Sequence, residues 1–293
     1  MVTAGPETFV LGLGAQKAGT TWLSHFLNSS PQFDRGYRKE YHVFDTLDLP
    51  EHGRRMRRRN LRLAREALDA AEAGEPADAD VVHRMAMTLD PAYYFDYFAG
   101  LLRRPGIDAT GDLTPNYALL SAERVASIRA GFAERGVRTV AVFLMRDPVE
   151  RVWSHVRMRH DREPSRFAAR DLTDELREHH AEPNYADVTR YEATLDTIEA
   201  VFAPDEVYVG LYEHLFNDAG PARAICDLVG IAAPEPELDR RSNAASRPST
   251  DLDADTARVV AEHFAATYRE VAARHPDLDV AQWWPHAAHV LGR

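Results

Sequence analysis

The feature that most constrains this chain is a glycine-rich turn near its amino end, GAQKAGTT at residues 14–21. The turn directly follows a short apolar run and directly precedes a segment with helical periodicity, residues 20–27. A strand that enters a helix through such a turn presents backbone N–H groups and the positive helix end to an anion. We predict an anion-binding loop made of Gly14, Ala15, Gln16, Lys17, Ala18, Gly19, Thr20, Thr21 and Trp22.

The loop departs from the ATP-binding pattern G-x-x-x-x-G-K-[ST]. Thr20 stands where that pattern requires lysine, and the ammonium of the loop comes three residues earlier, at Lys17. The strong apolar run at residues 139–145 is followed by Arg146, not by a carboxylate that could hold Mg²⁺. These departures argue against an ATP-binding loop. Two alternatives to the function inferred below are kept: a P-loop nucleotide kinase or NTPase, and a non-catalytic nucleotide-binding module.

Strands alternate with helices along the chain. Further strands are predicted at residues 107–110, 139–145 and 206–211, and further helices at residues 189–202 and 221–229. This order is typical of an α/β fold, here a P-loop-like central parallel sheet flanked by helices. We predict a single domain over residues 1–293, with a helical insertion at about residues 51–80.

A second candidate anion contact follows the strand predicted at residues 139–145. Asp147 and the proline after it predict the start of a helix, so Arg146 lies at the carboxyl end of the strand, where ligands of open α/β sheets bind. Ser154 is placed about 10 Å along that helix. Arg146 and Ser154 could share one phosphate group. The alternative is that Arg146 only pairs with Glu150 as an ordinary i,i+4 ion pair.

Composition limits the partners and the compartment. The formal net charge of −11 argues against general binding to nucleic acid or to anionic membranes. No run approaches the roughly 20 apolar residues of a membrane span, and the start lacks a secretory signal pattern. Cys226 is the only cysteine, so an intrachain disulfide is impossible. We expect a cytoplasmic protein and leave its oligomeric state open. Among 35 basic residues, only Lys17 and Lys39 are lysines.

Two segments together resemble the nucleotide signatures of sulfotransferases that use 3′-phosphoadenylyl sulfate (PAPS). FVLGLGAQKAGTTWLSHFL resembles their 5′-phosphosulfate loop, and FLMRDPVERVWSH resembles their 3′-phosphate motif. KEYHVFD and GDLTPNY resemble, more weakly, segments of the glycosaminoglycan-type and related bacterial branch. YEHL and SNAASRPS resemble later landmarks of the family. The resemblance implies PAPS as sulfuryl donor, adenosine 3′,5′-bisphosphate (PAP) as product, and no metal.

The resemblance also implies roles for single residues. Lys17 is the ammonium at the bridging oxygen of the donor, where a compact point charge suits the leaving group better than an arginine fork. Glu40 is the base that takes the proton of the acceptor, and His42 orients the acceptor or shares that proton. Asp112, in GDLTPNY, is a rival base. Arg247, in SNAASRPS, is either a third phosphate contact or an arginine of a surface loop.

The acceptor is expected to be a hydroxyl of a small molecule or of a carrier-bound intermediate. Leu113 stands where glycosaminoglycan enzymes can carry a lysine that contacts sulfate and substrate, which argues against a polysaccharide. The arginines of residues 51–80 could contact an anionic acceptor or an acidic carrier protein, or form a solvated helix face. The aromatic residues between 93 and 98 could line an acceptor site or pack in the core. Arginine- and alanine-rich composition suggests a bacterial protein of specialised metabolism.

Overall fold

The protein is built around a parallel β-sheet. The structure, a computed structural model, describes residues 7–76, 78–167, 171–236 and 252–292. Over these ranges the strands are β1 (Thr8–Gly12), β2 (Ala109–Asp112), β3 (Arg138–Met145) and β4 (Val207–Leu211). They form one sheet in the order β2-β1-β3-β4, and every pairing is parallel. The predicted α/β class with a central parallel sheet is thus confirmed.

β1 is the strand on which the sheet is assembled. Val10 pairs with Gly111 of β2 on one side and with Val140 of β3 on the other. All five residues of β1 are buried, as expected for a parallel strand that is covered on both faces. The chain passes from β1 to β2 and then crosses β1 to reach β3. Such a reversal opens a ligand crevice at the carboxyl ends of the strands.

Helices flank the sheet on its faces and edges. They are α1 (Thr20–Asn28), α2 (Phe44–Asp48), α3 (Pro50–Glu72), α4 (Ala79–Leu89), α5 (Pro91–Leu102), α6 (Ala122–Ala133), α7 (Pro148–Arg162), α8 (Pro164–Phe167), α9 (Leu172–His179), α10 (Pro183–Ala186), α11 (Tyr191–Val201), α12 (Tyr212–Leu215), α13 (Gly220–Val229), α14 (Ala254–His263), α15 (Ala265–Arg274), α16 (Val280–Trp283) and α17 (Ala288–Leu291). Short 3-10 turns cover Pro115–Leu119, Asp187–Thr189, Pro204–Glu206 and Pro276–Leu278.

Most of the predicted elements match these bounds within a few residues. The weak strand prediction at residues 107–110 begins two residues too early, because β2 starts at Ala109. Residues 51–80, predicted as helical, correspond to most of α3 and the start of α4. α3 is largely exposed and buries only Gly53, Met56 and Asn60. Its polar face therefore lies on the surface of the protein, next to α2 and α4.

The aromatic residues of α5 divide between the core and the surface. Tyr94 and Phe98 are fully buried and pack against Phe9 of β1, with ring centroids 6.1 and 4.9 Å away. Of the two alternatives given for these aromatic residues, core packing therefore holds for Tyr94 and Phe98. Tyr93 and Tyr97 are half-buried and line an open groove of about 600 Å³ between α4, α5 and the loop before Lys39.

Candidate active site

The loop after β1 is held in place by an extension of the sheet. Past the end of β1, the N–H of Leu13 donates to Val142 and the N–H of Ala15 donates to Leu144, at 3.0 and 2.6 Å. The N–H of Leu144 returns a bond of 3.1 Å to the carbonyl of Gly14. These backbone bonds place the start of the predicted anion-binding loop, residues 14–21 (the donor loop of the predicted PAPS site), beside the carboxyl end of β3.

Two glycines let the donor loop turn in a confined space. Gly14 and Gly19 have φ values of 93° and 88°, a region that side chains disfavour. A Cβ on Gly14 would lie 2.9 Å from the carbonyl oxygen of Pro115, and one on Gly19 would lie 3.1 Å from the ring of Tyr212. The glycines of the predicted motif are therefore required by the local geometry.

The donor loop leads directly into the amino end of α1. Gly19 is the N-cap and supplies no side chain, so no side chain caps the first N–H groups of the helix. Those groups and the helix dipole favour an anion at this position. Ala15 and Ala18 are buried beneath the loop, and the Trp22 ring stacks on Phe26, with ring centroids 5.0 Å apart. Trp22 thus packs beside the loop in the interior.

Lys17 adopts an uncommon backbone conformation in a positively charged environment. Its φ is 70°, which costs a non-glycine residue about 1–3 kcal/mol. Burial, and then the charges of Arg146 and other arginines of α7, lower the pKa of Lys17 to about 8. An ammonium held under such repulsion is stabilised by an anion. Residues in strained conformations concentrate at functional sites, so these features mark Lys17 as a candidate ligand contact.

Arg146 reaches the donor loop from the end of β3. One Nη1–H donates to the carbonyl of Lys17 at 3.4 Å, and the guanidinium lies over the ring of Tyr212 at 4.7 Å. The predicted alternative partner is also present, since Nη2 lies 3.0 Å from a carboxylate oxygen of Glu150. The Nε atom of Arg146 is buried and has no hydrogen-bond partner among the described residues. Ser154 lies two turns into α7 and is half-buried.

α7 begins as the sequence predicts and adds cations that were missed. Asp147 caps the helix by accepting from the N–H groups of Val149 and Glu150, at 2.9 and 3.3 Å. Arg151 and Arg157 lie three residues on either side of the candidate serine, a spacing that places all three on one side of a helix. That spacing was the available signal for these two arginines.

Two arginines of α7, Arg151 and Arg157, are incompletely paired within the described residues. Arg151 is fully buried and donates from Nη2 to the carbonyl of Tyr185 at 2.9 Å, whereas its Nε and Nη1 atoms have no partner within the described part of the chain. The same holds for Nε of Arg157. Unpaired buried N–H groups are costly, so a ligand with anionic oxygen atoms suits this crevice.

Residues 39–45 carry the second half of the candidate site and are not a strand. The N–H groups of Tyr41 and His42 donate to Oγ1 of Thr114, at 3.0 and 3.4 Å. The N–H of Leu113 donates to the carbonyl of Lys39 at 3.3 Å. His42 has a φ of 55°, which interrupts any extended conformation of this segment. The segment is instead fixed to the chain just after β2 by hydrogen bonds.

Glu40 lies between two cationic side chains. One carboxylate oxygen is 2.5 Å from Nζ of Lys39, and the other is 3.4 Å from Nε2 of His42. Burial alone would raise the pKa of Glu40, but the hydrogen bond from His42 and the charge of Lys39 lower it to about 2. Glu40 is therefore ionised at neutral pH, and about a third of its side chain is exposed to solvent.

His42 is held from behind by a buried carboxylate. Its Nδ1 lies 2.7 Å from Asp45, which also accepts from Nε2 of His52, on α3, at 2.9 Å. Burial favours neutral His42, but the hydrogen bonds to Asp45 and Glu40 prevail and raise its pKa to about 9. His42, Asp45 and His52 offer possible metal-ligand atoms within 4.8 Å of one another. Both nitrogens of His42 are already hydrogen-bonded to carboxylates, so the cluster serves to orient that ring.

Asp112, the rival base, lies beneath this segment. Its side chain is fully buried and accepts hydrogen bonds from Thr114 Oγ1 at 2.6 Å and from the Tyr94 hydroxyl at 3.0 Å. Burial raises the pKa of Asp112 to about 6. In this structure the carboxyl group of Asp112 is therefore enclosed by protein, whereas that of Glu40 is partly exposed. The role of Asp112 as a rival base stays a prediction of the sequence.

Two further predictions concern Arg247 and the absence of a membrane span. Arg247 lies outside the described residues. Among the helices that the structure describes, none combines the length and the apolar character needed to cross a bilayer.

The fold is similar to that of a solved sulfotransferase. A crystal structure of a sulfotransferase from Alicyclobacillus acidocaldarius aligns with a TM-score of 0.57 at 19% identity, covering 96% of this chain and 99% of that one. The sulfotransferase domain of the Synechococcus PCC 7002 olefin synthase aligns with a TM-score of 0.43 at 16% identity, covering 89% and 94%. A sulfotransferase domain from the curacin biosynthetic pathway aligns with a TM-score of 0.44 at 15% identity, covering 88% of this chain and 97% of that one.

The family of the chain is identified by a match of its sequence to a family model. A search of curated protein sequences gave no significant match. The model of the sulfotransferase family matches residues 8–235, which include the donor loop, residues 39–45 and α7. The chain therefore belongs to the sulfotransferase family, the enzymes that transfer sulfate groups.

The Thr114 hydroxyl should be essential for holding residues 39–45 in place. Thr114→Val removes the acceptor of the His42 N–H and the nearer acceptor of the buried Tyr41 N–H, which keeps only its 3.4 Å contact with Asp112. We expect it to lower the free energy of unfolding by about 1–3 kcal/mol. The matched control is Thr139→Val, because Oγ1 of Thr139 is buried without a partner among the described residues. Denaturant unfolding of both variants measures the difference. Equal stabilities would contradict the assigned role of Thr114.

Proposed function

We propose that the protein transfers a sulfuryl group from PAPS to a hydroxyl group of a small molecule or a carrier-bound intermediate. The observation that carries the proposal is the meeting, at one sheet edge, of a lysine-bearing anion loop with an ionised carboxylate. Lys39 links the two, since its Nζ lies 2.9 Å from Oγ1 of Thr21 and 2.5 Å from Glu40. A phosphosulfate in the loop would thus lie close to a group that can accept a proton.

The donor side has the properties that a nucleotide with two anionic ends requires. We assign the 5′-phosphosulfate to the donor loop, where the first N–H groups of α1 are uncapped by side chains. We assign the 3′-phosphate to Arg146 and Ser154, with Arg151 contributing positive potential from the interior. The buried and unpaired Nε of Arg146 fits an anionic ligand. PAPS supplies the sulfuryl group when bound.

Lys17 and Glu40 have complementary roles in the proposed reaction. Glu40 accepts the proton of the acceptor hydroxyl as that oxygen forms a bond to sulfur. Lys17 offsets the negative charge that appears on the phosphate oxygen as its bond to sulfur breaks. His42, held by Asp45, keeps the carboxylate of Glu40 oriented. Lys17 provides the charge at the leaving group in this scheme, so the proposed transfer is metal-independent.

The acceptor side is formed by residues 39–45 and by α3. His52 of α3 bonds to Asp45, and Nη1 of Arg57 donates to the carbonyl of Thr46 at 3.1 Å, so α3 starts at the site and extends away from it. Its exposed arginines suit an acceptor that carries negative charge or an acidic carrier protein. They are Arg54, Arg55, Arg57, Arg58 and Arg59. The cytoplasmic location and the role in specialised metabolism stay predictions of the sequence.

Nucleotide preference separates this proposal from a kinase. We expect calorimetry to show PAP binding that is unchanged by EDTA, and weaker binding of ATP with Mg²⁺. Arg146→Ala removes a charged hydrogen-bond donor and should weaken PAP binding about 10- to 100-fold. Arg135→Ala is the control, because Arg135 pairs with Asp96 on the surface. Preferential Mg²⁺-dependent binding of ATP would instead favour the kinase alternative.

Glu40 should affect turnover much more than donor binding. Glu40→Gln keeps the shape of the side chain but cannot take a proton, so we expect kcat to fall about 10²- to 10⁴-fold. PAP affinity should stay within a few-fold of the wild type. Glu51→Gln, at a side chain that is 95% exposed, is the matched control. The assay mixes PAPS with a panel of acceptors and detects the mass gain of one sulfuryl group. Undiminished turnover in Glu40→Gln would refute the assignment of the base.

The pH profile should report on Lys17. Burial, followed by the charges of neighbouring arginines, lowers the pKa of Lys17 to about 8, so its charge is present below that pH and is lost as the pH rises through it. We expect kcat/KM for PAPS, which reports on the free enzyme, to fall above about pH 8. Lys17→Arg keeps its charge and should move this decline to higher pH while lowering the rate. An unmoved decline would assign it to another group.

A further inference from the structure

Both lysines of this chain lie at the candidate active site. The protein has 35 lysine and arginine residues, and only Lys17 and Lys39 are lysines. Lys17 lies on the donor loop, and Nζ of Lys39 reaches that loop from the other side of the site. Lysine and arginine are not equivalent, because an ammonium is a compact charge with three rotatable donors, whereas a guanidinium is a planar fork. Two compact charges in a chain that otherwise uses arginine indicate a requirement for a small cation at each position.

The contacts of Lys39 span the two halves of the site. Its Nζ lies 2.9 Å from Oγ1 of Thr21, 3.5 Å from Oγ1 of Thr20 and 2.5 Å from the carboxylate of Glu40. These three contacts match the three N–H donors of one ammonium. Since an ammonium only donates, both hydroxyl oxygens accept from Lys39 and keep their own protons available for an anion in the loop.

The backbone of Lys39 is fixed while its ammonium can respond to a ligand. Its carbonyl accepts from the N–H of Leu113, just after β2. The side chain is 17% exposed, so the ammonium borders the crevice rather than the core. Four single bonds separate this anchored backbone from the ammonium, and rotation about them lets Nζ move between neighbouring oxygen atoms.

We propose that Lys39 is a positioning residue that couples donor binding to the base: its ammonium holds Glu40 in the free enzyme and turns toward the phosphosulfate when the donor binds. This inference rests on the proposed function. The proton of Lys39 stays on its nitrogen throughout. The acceptor proton goes to Glu40, the acceptor oxygen bonds to sulfur, and the bond from sulfur to the 5′-phosphate oxygen breaks.

The proposed movement of the Lys39 ammonium would change the basicity of Glu40. The charged groups that contact its carboxylate are Lys39 and His42, with Asp45 and His52 behind the imidazole. Burial raises the pKa of Glu40, but the two cationic groups together lower it to about 2, which makes the carboxylate a weak base. When Lys39 turns to the donor, only His42 remains on the carboxylate. Glu40 then becomes more basic only when a donor is in place.

The scarcity of lysine allows a direct test in the intact protein. Labelling with ¹³C,¹⁵N-lysine gives side-chain NMR signals from two residues only, and Lys39→Arg assigns them. We expect PAP to shift both signals with the dissociation constant found by calorimetry, because its 5′-phosphate attracts both ammonium groups. Glu40→Gln should shift the signal of Lys39, and not that of Lys17, without any ligand. This variant is the control for the contact in the free enzyme.

The outcomes of the titration separate the two proposals. If the Lys17 signal shifts and the Lys39 signal stays at its free position at saturating PAP, the coupling role of Lys39 is overturned and the proposed function stands. If neither signal shifts and calorimetry detects no PAP binding, the proposed function is overturned, and the inference about Lys39 with it.

Kinetics with added amines distinguish positioning from a structural role. Lys39→Ala should lower kcat about 100-fold, a loss typical of a removed charge-stabilising donor. Ethylammonium ion should restore part of this activity, because it can occupy the space of the missing ammonium and donate hydrogen bonds. Tetramethylammonium ion, which cannot donate, is the control at equal ionic strength. A Lys39→Ala enzyme with wild-type kcat, or one restored equally by both ions, would overturn the inference.

Discussion

The pairing of β1 with β3 continues beyond the strands, and the whole site depends on this continuation. Because Gly14 and Ala15 exchange backbone hydrogen bonds with Leu144, the donor loop is fixed beside the start of α7. Two segments far apart in the sequence thereby present Lys17 and Arg146 to the same crevice. The bonds that fix this geometry use main-chain atoms, so the cationic side chains are not needed to hold the loop and are available for a ligand.

The charges around the crevice are arranged oppositely on its two sides. On the side of β3 and α7, the cations crowd together, and the lowered pKa of Lys17 records burial and their mutual repulsion. On the side of residues 39–45, carboxylates alternate with Lys39 and the imidazolium of His42. An anionic donor relieves the repulsion on the first side, whereas the second side is already balanced and suited to handle a proton. The net charge of −11 is therefore no guide to this local field.

Local patterns predicted those parts of the site that are local in the chain. The donor loop and the cap at Asp147 followed from the sequence, because a strand, a turn and a helix adjoin there. The burial of Asp112 was not predictable, since the groups that enclose it, such as Tyr94, come from distant segments. The left-handed conformation of His42 likewise depends on hydrogen bonds to a neighbouring segment. The rarity of lysine marked Lys39 in the sequence, but only the fold brings it to the donor loop.

The proposed division of the site into a donor side and an acceptor side indicates where acceptor specificity can change. The donor side is built from strands β1 and β3 and from the amino end of α7, and changes there would disturb the central sheet. The acceptor side joins the sheet through hydrogen bonds at Thr114 and Leu113, and α3 contributes His52 before extending over the surface. Because most of α3 is exposed, its side chains can vary with little effect on the core. Under the proposed function, acceptor specificity can therefore change along α3 while the donor loop and Glu40 stay constant.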